Sequence, residues 1–528
     1  MNSARHLNYF ILFFAVVILL RIYHEITYAD FATDKSCQVM CAINLINGNG
    51  LSAGSADLNN LSRTDFTPLT RWPPGYSLLL VPFLLAFDDV IVAVHILDVF
   101  FVVLFLLSIV WLFRMLKFNH RSLLWLLVFY AITFSLFYDA TSTDLIAFTI
   151  YQYGILLAIR SLSNGSNGNA ILIGVLSFLP VAFRHAYMPF SIVIPMVMIL
   201  VGYHFGNRAL LRKGIWSGVC ALALVALFIM CEKIRIGDGQ VLTEQTGMFF
   251  QNLKQFTPFP WEGFFFTKAL ALSYNNSFNG FLPLYSVLGW LVSLLLIVYA
   301  VHRFFRTLHD SKLHIDLKQQ RIIYHLMGLL TIAGLILSLG FLSVRCAVQN
   351  WREPPWTYVE ESRYFSTGMI FLQVCVFASL FDKMPSRMRW MVRSFVFTVF
   401  LFSMAYSVNE FYSVYVKKSS HTFQRAYARE LNFAQIIGKA SAQSDHHFVY
   451  VDKHWSSIYL VTSVAGISSA TDRYDDIMES GLHTSAPVEL IIAMPHELNT
   501  DEKNFILNHQ AEKIGESENS DLYSVSLP

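Results

Sequence analysis

Long apolar runs separated by short polar loops dominate the chain up to about residue 408. A bilayer core takes roughly 20 such residues to cross. Runs near that length occur at 9–28, 90–112, 122–138, 145–159, 170–183, 188–203, 215–231, 281–301, 322–344, 365–381 and 394–408. They predict about eleven transmembrane helices. The apolar piece 77–87 is too short to span before Asp88 and Asp89, and predicts an interfacial or re-entrant helix.

Beyond about residue 409 the pattern changes to that of a small soluble α/β domain. Buried strands are expected at 448–452 and 488–494, helices at 456–464 and 501–510, and a last strand near 522–527. Alternating strands and helices imply a partly parallel sheet. No glycine-rich phosphate loop follows either strand, so a nucleotide site is not expected there. The resulting division is a polytopic α-helical membrane part, 1–408, with a long polar loop at 29–76, and a soluble α/β part, 409–528.

Basic residues fix the expected orientation. Arg114, Lys117 and Arg121, then Arg160, then Arg208, Arg212 and Lys213, then Arg303 to Arg321, and finally Lys383 to Arg393 fall in alternate loops. By the positive-inside rule these loops are cytoplasmic. The loop 29–76, the later polar loops and the soluble domain then share the outer side. The protein is expected in the cytoplasmic (inner) membrane of a cell that has one.

Composition agrees with this class. The chain is 55% hydrophobic and only 14% charged, outside the soluble range, and its net charge of +2 gives no case for a nucleic-acid partner. Its six cysteines show no CxxC or Cys/His ligand spacing, which points to packing roles. Cys37 and Cys41 are four apart and could meet on one helical turn. The acidic run Asp472, Asp475, Asp476 and Glu479 reads as a solvated face.

The candidate chemistry lies at the predicted outer surface. Asp30 and Asp34 follow the first span, Asp139 and Asp144 occupy a short turn, Arg184 and His185 end the fifth span, and Arg345, Glu360, Glu361 and Arg363 precede the tenth. Charges near hydrocarbon are costly and are usually paired or functional. A carboxylate there can take a proton from an acceptor hydroxyl or amine, and guanidinium groups can fork onto phosphate oxygens. The same residues could instead cap helix ends.

Several short motifs carry a resemblance. Asp34-Lys-Ser-Cys-Gln-Val-Met-Cys-Ala-Ile-Asn44-Leu45, followed by Gly48-Asn49-Gly50, resembles the D-E-x-x-Y-x-x-x-A-x-N-L-x-x-G-x-G pattern of bacterial membrane glycosyltransferases of the GT-C superfamily. These are relatives of dolichyl-phosphate-mannose protein mannosyltransferases and of the lipid A aminoarabinose transferase. Arg71-Trp72-Pro73-Pro74-Gly75-Tyr76 is similar to that group's R-x-P-P-G-Y element, and Ser142-Thr143-Asp144-Leu145 to its T-E-x-L or T-D-x-L stretch. Ala182-Phe183-Arg184-His185 and Glu361-Ser362-Arg363-Tyr364-Phe365 resemble two later elements, in the same order along the chain. Lys35 and Gln38 depart from the pattern.

The resemblance implies a transferase moving a sugar from a polyprenyl-phosphate donor to a glycan, lipid or protein acceptor, with inversion. Asp34 would be the base, Asp144 a supporting carboxylate, and Asp30 a competitor for the base's role. Arg71, Tyr76, Arg184, Arg363 and Tyr364 would line the substrate site. With Lys35 where an acidic residue often stands, a divalent metal lacks a second ligand beside Asp34, and no other cofactor is implied. Two rival classes remain: a non-catalytic scaffold or sensor, and a lipid or solute transporter.

Overall fold

In a computed structural model of the chain, the described residues are 33–69, 72–87, 89–138, 142–162, 168–236, 282–345, 366–381, 387, 390–398, 401, 423–453, 455–479, 482–517 and 520–528. The chain divides into two compact units, Glu25–Asp98 with Lys417–Pro528, and Met1–His24 with Val99–Val416. The segment 29–76 thus belongs with the C-terminal segment, a grouping that differs from a division along the sequence at residue 408.

The first described element is α1, Thr33–Ile46, followed by a hairpin of β1, Ser52–Asp57, and β2, Asn60–Pro68. What read as a polar loop is therefore folded. The motif Asn44-Leu45 with Gly48-Asn49-Gly50 is the helix terminator: Gly48 has φ 83° and donates its N–H to Leu45 O at 3.2 Å, while the Asn49 N–H reaches Asn44 O at 2.8 Å. This is a Schellman stop, where glycine adopts the left-handed backbone without a Cβ penalty. The Asn44 side chain, 1% exposed, donates to Ser52 O at 2.8 Å and fixes where β1 begins.

Pro74 then leads into α2, Gly75–Ala86, the short helix expected over 77–87. The Ser77 hydroxyl donates to Gln38 O at 2.8 Å, tying α2 to α1. Next comes α3, Val90–Met115; the division between the units falls within it, after Asp98.

The other unit is helical. Its elements after α3 are α4, His120–Tyr138; α5, Ser142–Arg160; α6, Gly168–Phe183; a 3-10 turn His185–Ile192 containing Pro189; α7, Val193–His204; α8, Arg208–Ile236; α9, Leu282–His309; α10, Ile315–Arg345; and α11, Ser366–Ala378. Small residues set the closest approaches. A Cβ on Gly174 of α6 would lie 2.7 Å from Ser217 O of α8, and one on Gly328 of α10 would overlap the Phe371 ring of α11. Across the bundle Tyr151 of α5 and Thr331 of α10 share a 2.9 Å hydroxyl bond.

Four helical stretches among the described residues are long and apolar enough to cross a membrane: Val90–Met115, His185–His204, Arg208–Arg235 and Ile315–Ser338. Each coincides with one of the expected spans. On α8 the apolar side chains Ile215, Trp216, Val219, Leu222, Leu227 and Met230 are all more than 45% exposed, a surface suited to lipid and not to water. The expected spans over 122–138, 145–159 and 170–183 are also helical, as are 282–301 and 366–378 of the spans 281–301 and 365–381. The expected span 9–28, and 399–400 and 402–408 of the span 394–408, lie outside the described residues.

The chain returns to the first unit with α12, Phe423–Ser441; β3, His447–Val451; α13, Trp455–Ala465; β4, Ser469–Thr471; α14, Tyr474–Glu479; β5, Val488–Pro495; α15, Thr500–His509; β6, Glu512–Glu516; and β7, Ser520–Leu527. The sheet order is β4-β3-β5-β7-β6. Strands β4, β3 and β5 run parallel, and β7 and β6 add antiparallel, so the expected partly parallel sheet is present. Asp472 and Asp475 are exposed, in keeping with a solvated acidic face.

Both sheet faces are covered. Phe448 and Tyr450 of β3 pack under Phe433 and Ile437 of α12 and Ile458 and Val461 of α13. Their neighbours Val449 and Val451 point the other way, toward Tyr474, Ile477 and Phe505, and are joined there by Ala56 and Leu61 of the hairpin. The hairpin is clipped on by polar bonds as well: the Leu61 N–H donates to His483 O at 2.9 Å, and Asn60 donates to Ser485 Oγ at 2.8 Å. Gly54 lies so close to Ser468 O that any Cβ would collide with it. Helix α1 is held on α13, where the Ser463 hydroxyl donates to Ser36 O at 3.5 Å.

Candidate functional site

Two of the expected site residues meet. Asp144, in the first turn of α5, and Arg184, just past α6, form a two-pronged ion pair: Arg184 Nε donates to Asp144 Oδ1 at 2.7 Å and Nη2 to Oδ2 at 2.5 Å. They are 4% and 8% exposed. The extended backbone of Arg184, φ −149°, ends α6, and the guanidinium reaches the start of α5. Parallel N–H···O bonds of this kind are the strongest geometry a carboxylate offers, and they fix the plane of both groups.

The first loop holds a second buried pair that the sequence reading did not anticipate. Lys35 of α1, 1% exposed, is ion-paired through Nζ with Asp98 Oδ2 of α3, 5% exposed. Lys35 had been noted only as a departure from the motif. The available signal was Asp98 itself, an acidic residue inside an apolar run, where a charge needs a partner.

Asp34 is the second residue of α1; its side chain lies outside the described residues, as do Asp30, Arg71, Arg363 and Tyr364. Tyr76 is fully buried at the start of α2, in the unit that does not contain Asp144 and Arg184. Cys37 and Cys41 are both buried in an apolar cluster with Leu69, Trp72 and Tyr459, a packing role. Among the described residues no three His, Cys, Asp or Glu side chains are grouped to hold a metal ion.

A third polar cluster sits at the carboxyl end of β3. Arg429 Nη2 donates to Asp452 Oδ2 at 2.9 Å, to Glu430 Oε1 at 2.8 Å and to Ser457 Oγ at 2.7 Å, and the Tyr450 hydroxyl donates to Asp452 at 2.9 Å. Burial alone would lower the Arg429 pKa, but the Asp452 and Glu430 carboxylates outweigh it and hold it above its usual value. Nearby, burial would raise the Glu502 carboxyl; the Asn499 amide, the Tyr474 hydroxyl and the Lys453 ammonium overturn this and hold it below the ordinary range. The Asn499–Glu502 capping box starts α15, so this network is accounted for by the fold.

No protein-family model matches the chain, and no curated protein matches its sequence.

Proposed function

We propose that the chain is an integral-membrane glycosyltransferase of the GT-C type, moving a sugar from a polyprenyl-phosphate donor to a glycan, lipid or protein acceptor on the outer face of the cytoplasmic membrane. The observation that carries this is the buried, two-pronged Asp144–Arg184 pair. Two motif residues drawn from separate polar loops meet as a carboxylate holding a guanidinium in a defined plane, the element a phosphate leaving group requires. Asp34, at the start of α1, is the general base. It takes the proton of the acceptor hydroxyl or amine, the acceptor atom bonds to the anomeric carbon, and the bond from that carbon to the phosphate oxygen breaks with inversion. Polyprenyl phosphate leaves with the electron pair. The resemblance assigns Arg184 and Arg363 to the phosphate charge, with Asp144 orienting Arg184, and Arg71, Tyr76 and Tyr364 to substrate binding.

The test is turnover of radiolabelled polyprenyl-phosphate sugar by purified protein in detergent with an extract of acceptors. Asp34→Asn at equal folded amounts is expected to lose about 10²- to 10⁴-fold in rate, the usual worth of a positioned base. Equal transfer by both proteins would move the base to Asp30 or Asp144. No transfer by the wild type with any acceptor would favour the scaffold or transporter class.

A further inference from the structure

Helix α3 carries two ionisable residues three positions apart, His95 and Asp98, which a helix places on one face. Both are more than nine-tenths buried, at 6% and 5% exposed. Asp98 uses Oδ2 for Lys35, while its Oδ1 and both ring nitrogens of His95 have no hydrogen-bond partner among the described residues. Asp98 lies about 12 Å along α3 from its first residue, at ~1.5 Å per residue.

Buried polar atoms are almost always satisfied, so a cluster that leaves three of them open needs a reason. An ion pair between Lys35 and Asp98 needs no imidazole beside it, and an apolar residue at 95 would serve the helix better. The chemistry of the open positions is specific. Asp98 Oδ1 only accepts, and a neutral imidazole offers one N–H and one lone pair. An anion is disfavoured, because the Lys35 charge is already engaged by the Asp98 carboxylate; an acyl chain would leave all three atoms unsatisfied. A neutral ring bearing several hydroxyls, which donate and accept, satisfies them.

We infer that His95 and Asp98 bind hydroxyl groups of the sugar carried by the donor lipid, making them specificity residues of the transferase. This inference rests on the proposed function. It also gives Lys35 its role: the residue after Asp34 is tied to the helix that reads the sugar.

The experiment compares binding of polyprenyl phosphate and of polyprenyl-phosphate hexose to the purified full-length protein, with the melting temperature of each variant measured alongside. The wild type is expected to favour the hexosylated lipid by about tenfold or more, a difference two hydrogen bonds can supply. His95→Leu should bring that preference to within about twofold, leave binding of the bare phosphate lipid unchanged, and keep or raise the melting temperature. His95→Gln, which retains a donor and an acceptor, should keep part of the preference. A full preference in both variants would overturn the inference and leave the transferase reading standing. So would a lower melting temperature with both lipids weakened equally, which would make the imidazole structural. A wild type that binds neither lipid would remove the proposed function along with it.

Discussion

The two buried ion pairs, one in each unit, meet the same cost in different ways. Asp144 and Arg184, forty residues apart, engage through two bonds that use both carboxylate oxygens. Lys35 and Asp98, sixty-three residues apart, engage through one oxygen and leave the other, and the imidazole beside it, without a hydrogen-bond partner among the described residues. Desolvating two charges costs several kcal/mol per ion, and the attraction offsets it only when the remaining lone pairs are also met. The first pair is complete as protein structure. The second leaves hydrogen-bond positions open among the described residues, so the two pairs offer a ligand different things: a guanidinium already held in plane, and unfilled donor and acceptor positions.

The largest expected effect breaks the complete pair. Arg184→Met takes the two-pronged partner from the buried Asp144 carboxylate and should cost about 3–5 kcal/mol, whereas Asp144→Leu with Arg184→Met should recover much of the loss. Denaturant unfolding in detergent measures both, and a single variant as stable as the wild type would show that the pair braces nothing. A smaller effect should be confined to the other unit. Gly54→Val drives a side chain into Ser468 O and should cost about 1–3 kcal/mol by overpacking, seen as faster proteolysis of the hairpin with the helices unaffected. Smaller again is Gly48→Ala, which forces a Cβ into the left-handed stop of α1 at about 1–2 kcal/mol.

The smallest effect is set by pH. The folded Glu502 carboxyl is held below its ordinary value, so the unfolded chain takes up that proton first as pH falls. Its contribution is present above about pH 4.5 and is lost as pH falls through the folded value. His447, held by burial below its ordinary 6.5, acts in the same direction from a higher pH. Relative to the intrinsic exchange rate at each pH, the protection of amides over 488–509 should fall between pH 6 and pH 4, and Glu502→Gln should flatten the part below pH 5.

What could be read from the sequence follows from how each element is stabilised. Helices such as α3 and α8 announce themselves because their apolar runs do the work locally. Strands β3 and β5 are legible because both faces are buried, giving near-continuous Val, Ile and Leu. The hairpin 52–68 is rich in Ser, Asn, Thr and Asp with no period-two pattern, and is held by Ala56, Leu61 and a close approach at Gly54 that no local rule reports. Strand β4 is three residues long, and β6, Glu512–Glu516, is a polar edge, so both fall below any pattern. At the site, Asp144 and Arg184 were legible as motif residues, but their pairing depends on how α6 ends. Asp98 and His95 were overlooked because they sit inside a run read only for its length.

The unit that holds α1 is built from two stretches of chain separated by Val99–Val416, and Asn60 finds Ser485 across 425 residues. Protein synthesis therefore delivers the second stretch on the order of half a minute after the first, at about 5–20 residues per second. During that interval α1 lacks α13, and Ala56 and Leu61 lack the sheet they cover. Until the second stretch arrives, the apolar side of the hairpin and the face of α1 that meets α13 have no cover, so the order of synthesis leaves the earliest part of this unit waiting on its latest.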